Sequence, residues 1–368
     1  MKILELKYFL YSLKFKSNFT NSNESFNQKK IIIIQLKDEA GNSFYGECTT
    51  LPNFYDDNIN EMMNRLNMIR PFFEKQNLNN INFPKIFNFI VNYPPLVFGL
   101  DQAIFNIQHF YKSIPANNYF EFSNKNEISI NAIIDMNDKK NIIKQIESLF
   151  QNGFETFKLK FGRENFNNDL KLLTTIKNQF NDKIKIRVDV NGKWTFTEAL
   201  KNLERLQIFN LEYIEQPVKN TEELIELSNK CEVNIAADES VRNINDAEEL
   251  INNSRINVLV LKPSLMGKIE DVVNLISKAE EKGIDIVISS AFESSFGRSI
   301  LPFFASVTQN NYAHGLATID LFKNDFPISS YKINNGKITI NQNDITKSIN
   351  LQAKFDIANF KNELVEPK

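Results

Sequence analysis

The sequence is poor in the residues that most often bind zinc or form disulfides. Its 368 residues include two cysteines, Cys48 and Cys231, and two histidines, His109 and His314. The cysteines lie far apart and form no CxxC motif, so we expect no structural disulfide or zinc site and a reducing, cytoplasmic environment. Two histidines supply little for a His-based triad or a His-bound metal. Any acid–base or metal chemistry must therefore depend on aspartate, glutamate and lysine.

Long hydrophobic runs and a large net charge are missing as well. The longest aliphatic run, Ile31 to Ile34, is far too short to cross a bilayer. The first residues, MKILELKYFLYSLKFK, mix charges among apolar side chains and lack the small-residue cleavage site of a secretory signal. The net charge of −2 predicts no nucleic-acid or membrane partner. With 32 phenylalanines and 42% hydrophobic residues the chain can form a large core, and a small molecule is the expected partner.

What is present is a repeated pattern of strands and helices. From residue 129 onward, short apolar runs alternate with amphipathic stretches such as KNIIKQIESLFQNG. The runs are ISINAII, FKLKFG, IKIRVDV, LEYIEQP, VNIAADES, INVLVLKPS, IDIVISS and a weaker NYAHGLA. This alternation predicts a parallel sheet in an α/β fold. Eight runs joined by helical crossovers favour a closed (β/α) barrel, with an open doubly wound sheet as the alternative.

The regions outside the barrel pattern predict a second unit. Residues 1–115 combine strand-like and helix-like segments, which predicts an α+β domain. Within it, Ser17 to Lys30 is polar and Asn-rich and is predicted to be a loop. Beyond the barrel of residues 116–322, the sequence YKINNGKITI carries an Asn-Gly hairpin signal. We expect residues 323–368 to return to the N-terminal unit and to complete a discontinuous cap.

Charged residues end four successive apolar runs. Asp189 ends IKIRVDV, Glu215 ends LEYIEQP, Asp238 ends VNIAADES and Lys262 ends INVLVLKPS, each about one strand–helix unit after the previous one. In a parallel barrel the carboxyl ends of all strands meet at one rim, where barrel enzymes carry their active sites. Each acid taken alone could be an ordinary helix N-cap. Three acids at matching positions are better explained as neighbours at that rim.

Three neighbouring carboxylates require a compensating positive charge. Without a cation they repel one another, and protonation would be the only relief. A divalent cation provides that relief, and oxygen-only ligands favour Mg²⁺ or Mn²⁺ over zinc. The sequence therefore predicts a metal site formed by Asp189, Glu215 and Asp238.

Lysines flank the three acids on both sides. In FKLKF, Lys158 and Lys160 are two residues apart, so on a strand they share one face. Lys262 follows the last acid by one unit. The pair alone could belong to a solvent-facing edge strand, but with the acids nearby we expect both lysines at the site. Positive charge on Lys158 disfavours a second ammonium group, which makes Lys160 the predicted general base.

These motifs resemble the enolase superfamily and, within it, the muconate-lactonizing branch. The residues that carry the resemblance are K-x-K (Lys158, Lys160), D-x-N (Asp189, Asn191), E-Q-P (Glu215), A-D-E-S (Asp238) and K-P-S (Lys262). The resemblance covers nearly the whole chain and implies a TIM-like (β/α)7β barrel with an α+β capping domain. The segments PPLVFGLDQA, KPSLMGK, SSAFESS and HGLATIDLF are most similar to the o-succinylbenzoate synthases.

That resemblance implies a specific reaction. The synthases dehydrate 2-succinyl-6-hydroxy-2,4-cyclohexadiene-1-carboxylate to 2-succinylbenzoate on the way to menaquinone, with Mg²⁺ stabilising an enediolate. Carried over, Lys160 would remove the proton α to the ring carboxylate and return it to the departing hydroxide. Lys262 would hold charge on the opposite side, as a cation against the ring face. The residues implied to support the site or contact the substrate are Asn191, Glu239, Ser289, Ser290, Glu293 and Gly315.

Other functions stay open at this point. N-succinylamino acid racemases and dipeptide epimerases of the same superfamily share the machinery, although the epimerases carry an Asp-x-Asp in the eighth strand. Here that strand has Ala317, and Asp320 is the one acid in HGLATIDLF. From a different class, the chain could be a non-catalytic barrel that binds a ligand; the retained rim lysines argue against this. The cap segments 17–30 and 46–58 are expected to select the substrate, and a homo-oligomer is left open.

Overall fold

The cap is built from the N-terminal third of the chain. The computed structural model describes residues 1–20, 25–51, 59–112, 125–134, 141–162, 165–328, 331–340, 342–357, 359–360 and 364–365. The first elements are β1 (Lys2–Thr20), β2 (Ser25–Asp38), β3 (Ser43–Thr49), α1 (Ile59–Ile69), β4 (Gln76–Asn77), α2 (Phe83–Ile90) and α3 (Pro94–Lys112). Strands β1, β2 and β3 form an antiparallel meander, and β4 pairs with the start of β1.

The aliphatic run of β2 is explained by burial on both faces of this sheet. Ile32 and Ile34 pack in a cluster with the cap helices. Ile31 and Ile33 point the other way and pack with Phe296 of the barrel. A strand buried on both sides needs continuous rather than alternating hydrophobic residues. The cap sheet is therefore sandwiched between its own helices and the barrel.

The predicted loop between β1 and β2 is corrected by the structure. Strand β1 continues to Thr20 and β2 begins at Ser25, and the pairs Phe19–Phe26 and Thr20–Ser25 extend the ladder. Backbone pairing requires no apolar side chains, so a polar composition does not exclude a strand. Residues 21–24 lie outside the described part of the chain, as do residues 52–58 of the second predicted cap loop.

The barrel strands follow one another around the sheet in chain order. The strands of this sheet are β6 (Ala132–Ile133), β7 (Thr156–Lys160), β8 (Lys185–Asp189), β9 (Tyr213–Glu215), β10 (Ile235–Ala237), β11 (Val258–Leu261) and β12 (Asp285–Ile288). Strand β5 (Glu127–Ser129) directly precedes β6 and lies outside the seven-stranded sheet. The helices are α4 (Ile142–Gln151), α5 (Phe166–Phe180), α6 (Phe196–Leu206), α7 (Thr221–Lys230), α8 (Ile244–Asn253), α9 (Ile269–Glu281), α10 (Ser295–Arg298) and α11 (Leu301–Val307). Strands β6 to β12 are parallel neighbours.

The weak eighth run closes this sheet into a barrel. His314 forms a bridge with Ile130, and Gly315 forms one with Ser289. The amide of Gly315 donates to the carbonyl of Ile288 (2.8 Å). The segment thus pairs with Ile130, just before β6, and with Ser289, just after β12. It joins the two edges of the sheet, which excludes an open doubly wound sheet. The predicted α/β barrel with its capping domain is confirmed.

The floor of the barrel is filled by a buried arginine. Arg187 lies between the rings of Tyr213 and Tyr312, with its guanidinium carbon 4.7 and 5.4 Å from the ring centres. Its Nε donates to Glu212 (2.7 Å) and its Nη1 to the carbonyl of Ala313 (2.6 Å). These contacts tie β8 and β9 to the closing segment. The opposite end of the barrel is left for the site.

The C-terminal segment makes two different returns. Its elements are β13 (Lys337–Thr339), α12 (Gln342–Ala353) and β14 (Leu364–Val365). The Asn335-Gly336 turn forms as predicted, with both residues in the left-handed region (φ 50° and 67°). We expected this hairpin on the N-terminal unit, but β13 pairs with β5 of the barrel. Strand β14 does pair with β1, and α12 contacts β3 and α3. None of the helices in the described residues has the length and hydropathy needed to span a membrane.

Candidate active site

The barrel register places the first predicted site residues side by side. Lys160 pairs with Asp189, and Asp189 pairs with Glu215, across β7, β8 and β9. Paired residues on parallel strands share one face of the sheet. Their neighbours Leu159, Val188 and Ile214 belong to the core beneath the helices, so the charged residues face the barrel interior. The sequence prediction of acids and lysines at one rim agrees with this register.

Both lysines of the K-x-K motif contact the acids directly. Lys158 Nζ lies 2.6 Å from Glu215 Oε1 and 2.8 Å from Asp189 Oδ2. Lys160 Nζ lies 2.5 Å from Asp189 Oδ2 and donates to Asn191 Oδ1 (3.0 Å). The Lys160 side chain keeps 24% exposure. The structure therefore excludes the edge-strand alternative and leaves Lys160 accessible from the mouth.

A glutamine that sequence reasoning missed organises the far side. Gln216 Oε1 accepts from the amides of Asp238 (3.0 Å) and Ser240 (3.2 Å), and its Nε2 donates to Ser240 Oγ (2.8 Å). Its backbone is held in a left-handed conformation (φ 40°). Lys262 Nζ in turn contacts Asp238 Oδ1. The E-Q-P motif contained this signal, but only its glutamate was interpreted.

Asn191 and Glu239 link the carboxyl ends of β8 and β10. The amide of Asn191 donates to Asp189 Oδ1 (3.0 Å), and its Nδ2 donates to Glu239 Oε1 (2.9 Å). The Asn191 backbone is left-handed (φ 50°), a conformation that asparagine tolerates better than most residues. Both residues lie at the site, as the resemblance implied. Their contacts show that they position Asp189 and each other.

The buried charges at this site are unbalanced. Burial and then the nearby Asp189 raise the pKa of Glu215 to about 8. Burial and then Asp238 raise the pKa of Glu239 to about 7. Burial acts in the same direction on Asp189, but Lys158 and Lys160 outweigh it and hold that pKa well below its usual range. Burial lowers the pKa of Lys158, whereas Asp189 and Glu215 raise it more, so it lies well above its ordinary value.

The donor chemistry suits a hard divalent cation. Within the described ranges, no group of three or more acidic, histidine or cysteine side chains is arranged so that it could hold a metal ion as it stands. The reason is that Lys158 and Lys262 draw Glu215 and Asp238 towards their ammonium groups. However, Glu215 Oε2 and Glu239 Oε2 are buried without a hydrogen-bond partner. Such oxygens are costly unless they are paired or bind a cation. The residues therefore fit Mg²⁺ or Mn²⁺ by ligand type.

The residues after β12 divide into two roles. Ser290 Oγ donates to Glu293 Oε2 (2.5 Å) and accepts from Thr318 Oγ1 (3.1 Å). Glu293 is fully buried, and its Oε1 accepts from Ser264 Oγ and from the amide of Ala291. Both oxygens of Glu293 thus accept hydrogen bonds from its neighbours and hold them in place.

Ser289 and Gly315 lie where the barrel closes. They form the last bridge of the rim, and Ser289 is half-buried. A Cβ atom added at Gly315 would come within 2.9 Å of Ser289 Oγ, so a larger residue would require the Ser289 side chain to move. The amide of Ser289 donates to the carbonyl of Leu261 (2.8 Å), so Ser289 and Gly315 lie on the side of the rim that carries Lys262.

The comparisons with curated proteins bring relatives with two kinds of activity. An o-succinylbenzoate synthase of Desulfotalea psychrophila is 29% identical over 246 residues, which cover 64% of this chain and 65% of the synthase. The match thus spans slightly less than two thirds of that relative. An L-Ala-D/L-Glu epimerase of Francisella tularensis subsp. novicida is 26% identical over 327 residues, covering 87% of this chain and 90% of the epimerase.

Solved structures and a family model agree on the fold. The muconate lactonizing enzyme from Pseudomonas fluorescens complexed with muconolactone superimposes with a TM-score of 0.84 at 19% identity, covering 99% of each chain. A dipeptide epimerase from Enterococcus faecalis, complexed with Mg and L-Leu-L-Tyr, has a TM-score of 0.81 at 20% identity and covers 93% of this chain and 98% of its own. The family model described as "Enolase C-terminal domain-like" matches residues 141–344. Because this match spans more than half of the chain, and holds the rim residues just described, the chain belongs to the enolase superfamily.

Proposed function

We propose that this chain is a Mg²⁺-dependent carbon–oxygen lyase. Its substrate would be 2-succinyl-6-hydroxy-2,4-cyclohexadiene-1-carboxylate and its product 2-succinylbenzoate, a precursor of menaquinone. The observation that carries the proposal is the ring of charges at the rim, in which Lys160 and Lys262 flank Asp189, Glu215 and Asp238. The synthase relative and the synthase-like segments around Ser289 and His314 support the choice of substrate.

The metal would be held by the three strand-end acids. Asp189, Glu215 and Asp238 supply hard oxygen ligands, and Glu215 Oε2 is a buried oxygen with no other partner. Once bound, Mg²⁺ would supply Lewis-acid stabilisation of the negative charge that develops on the substrate carboxylate. Asn191 and Gln216 would keep two of the ligands, Asp189 and Asp238, in position through the hydrogen bonds described above.

The proton chemistry belongs to the lysines. Lys160, as the neutral amine, would take the proton from the carbon α to the carboxylate. The C–O bond at the neighbouring ring carbon then breaks, and the ammonium of Lys160 gives its proton to the departing hydroxide. One water leaves and the ring becomes aromatic, which makes the elimination intrinsically easy. Lys262, on the opposite side, would stabilise charge on the ring face.

A racemase or epimerase is the second candidate, because the Francisella epimerase matches more of this chain than the synthase does. Such a reaction uses the same proton removal but returns the proton to the same carbon. Against the dipeptide activity, Asp320 has a side chain that is 96% exposed and lies 4.0 Å from Lys16 of the cap. Its carboxylate is therefore held away from the buried acids where an amino group would be bound.

A direct assay separates the two activities. Purified protein with Mg²⁺ is offered the cyclohexadiene substrate, followed by the absorbance of the aromatic product. In parallel it is offered N-succinyl amino acids and L-Ala-L-Glu in D₂O, followed by deuterium at the α carbon. We expect kcat/KM for dehydration to exceed that for α-exchange by at least about tenfold. A preference for α-exchange would overturn the lyase assignment in favour of the second candidate.

A further inference from the structure

A buried glutamate of the cap reaches across to the barrel. Glu47, at the end of β3, has no exposed surface. Its carboxylate accepts from the amide of Ser294 (3.1 and 3.0 Å to the two oxygens), from Ser294 Oγ (2.5 Å) and from the amide of Gly297 (3.0 Å). Ser294 is the N-cap of α10, so Glu47 satisfies amides that the helix itself leaves free. The contact joins residues 247 positions apart in the chain.

The same barrel segment is held by two other cap residues. Gln102 of α3 accepts from the amide of Glu47 (3.1 Å) and donates to the carbonyl of Phe296 (2.9 Å). Lys29 of β2 contacts the carbonyl of Ala291. Three cap elements, β2, β3 and α3, thus contact residues 291–297. The packing at this contact is tight, because a Cβ atom added at Gly297 would lie 2.9 Å from Glu47 Oε2.

This segment also holds the rim on the substrate side. Glu293, directly before Ser294, takes hydrogen bonds from Ser290 and from Ser264. Ser264 lies in the turn that begins at Lys262, where the amide of Leu265 donates to the Lys262 carbonyl (2.9 Å). A displacement of residues 293–297 would therefore be transmitted to Ser290 and to the turn after Lys262.

We infer that Glu47 is a positioning residue, which couples the cap to the substrate-facing residues after β12 through Ser294 and Glu293. The inference rests on the proposed function for its kinetic consequence, because the resemblance to the synthases implies that Ser289 and Ser290 contact the substrate. A carboxylate buried between two domains is costly, and burial raises the pKa of Glu47 to about 7. A pair of apolar side chains could hold the two domains together equally well. The hydrogen-bonded carboxylate of Glu47 additionally fixes the position of Ser294 relative to the cap.

The test compares Glu47→Gln with the wild type and with Glu248→Gln. Glu248 is a surface acid on α8 that pairs with Lys278 on α9. Glu47→Gln keeps the shape but replaces one acceptor by a donor facing the amides of the 294–297 turn. We expect KM for the cyclohexadiene substrate to rise at least about fivefold, with kcat within about threefold, and no change in Glu248→Gln. A lower Tm with an unchanged KM would overturn the inference.

Two further measurements keep the inference falsifiable. Should Glu47→Gln fail to fold, Ser294→Ala removes the hydroxyl that donates to Glu47 and accepts from the amide of Phe296. We expect KM to rise about threefold in this variant, and an unchanged KM would contradict the inference. Hydrogen exchange of the Ser290 amide, which donates to the Gly315 carbonyl (3.1 Å), needs no substrate. We expect faster exchange at Ser290 in either variant. If the wild type is inactive on every substrate offered, the proposed function fails, and exchange at Ser290 still decides this inference.

Discussion

At the scale of single residues, the site depends on which oxygen each ammonium group touches. Lys160 contacts Asp189 and Asn191, whereas Lys158 bridges Asp189 and Glu215. The two lysines therefore make different contacts, although they are only two residues apart on the same face of β7. Lys158 is anchored by two acids, and Lys160 is the more exposed of the two, at 24% against 14%. In the proposed mechanism, the general base is the more exposed of the two lysines.

Replacing that lysine should remove the chemistry and spare the metal site. In Lys160→Ala, kcat should fall by at least about 10³-fold, because a positioned general base contributes about 10² to 10⁴ and here acts in both proton transfers. Mg²⁺ binding measured by calorimetry should persist, since Asp189, Glu215 and Asp238 remain. Lys278→Ala, which breaks only a surface pair with Glu248, serves as the control. A residual rate within tenfold of the wild type would refute the role of Lys160.

At the scale of elements, the eighth barrel position is held by very few backbone contacts and by one histidine. His314 is buried, and its Nδ1 accepts from the amide of Ile288 (3.0 Å). Burial lowers the pKa of His314 to about 3, and the positive charges of Lys125 and Arg187 act in the same direction. Protonation would remove the acceptor that joins the closing segment to β12. Barrel closure is therefore expected to be sensitive to acid.

The sign of this effect follows from linkage. In the unfolded chain the imidazole binds a proton below about pH 6.5, whereas in the folded chain it does so only near pH 3. Between these values the unfolded state holds more protons, so stability falls as the pH falls. Denaturant unfolding at pH 7.0 and pH 4.5 should show that the wild type loses about 2 to 3 kcal/mol more than His314→Asn. Equal losses in both proteins would contradict the buried neutral histidine.

A second histidine provides a matched control for that measurement. His109 in α3 lies outside the barrel closure and contacts Thr346 Oγ1 (3.0 Å). Burial lowers its pKa too, without the nearby positive charges that act on His314. His109→Asn should therefore reduce the acid sensitivity by less than His314→Asn does.

At the scale of the whole molecule, the proposed metal site would contribute to stability as well as to catalysis. Four carboxylates, Asp189, Glu215, Asp238 and Glu239, face three lysine ammonium groups in a buried space. A ligand that binds only the folded state stabilises it in proportion to the logarithm of its concentration. Because the acids come from three strands, that stabilisation extends over the barrel.

Metal addition and removal should therefore be visible without any substrate. At Mg²⁺ concentrations about 100-fold above its Kd, the wild type should gain about 2.7 kcal/mol, seen as a rise of several degrees in Tm that EDTA reverses. Glu215→Gln should lose this rise, and Glu248→Gln should keep it. If Mg²⁺ leaves the Tm of the wild type unchanged, or shifts Glu215→Gln equally, the metal assignment is wrong.

The sequence by itself determined the barrel strands and the strand-end residues of the site. Continuous apolar runs and their polar ends identified the barrel strands, and period-two alternation put Lys158 and Lys160 on one face. The matching ends at Asp189, Glu215 and Asp238 then followed from the shared direction of parallel strands. These inferences need only neighbouring residues, or the repetition of one unit.

Tertiary structure decided what depends on residues far apart in the chain. The pairing of β13 with β5, the closure by His314 and Gly315, and the contact of Glu47 with Ser294 join segments that no local pattern connects. The extension of β1 and β2 through a polar segment belongs to the same class, because backbone hydrogen bonds ignore side-chain polarity. Burial and partner choice arise only when the domains pack, and they gave Glu293 and Gln216 their roles as internal supports of the rim.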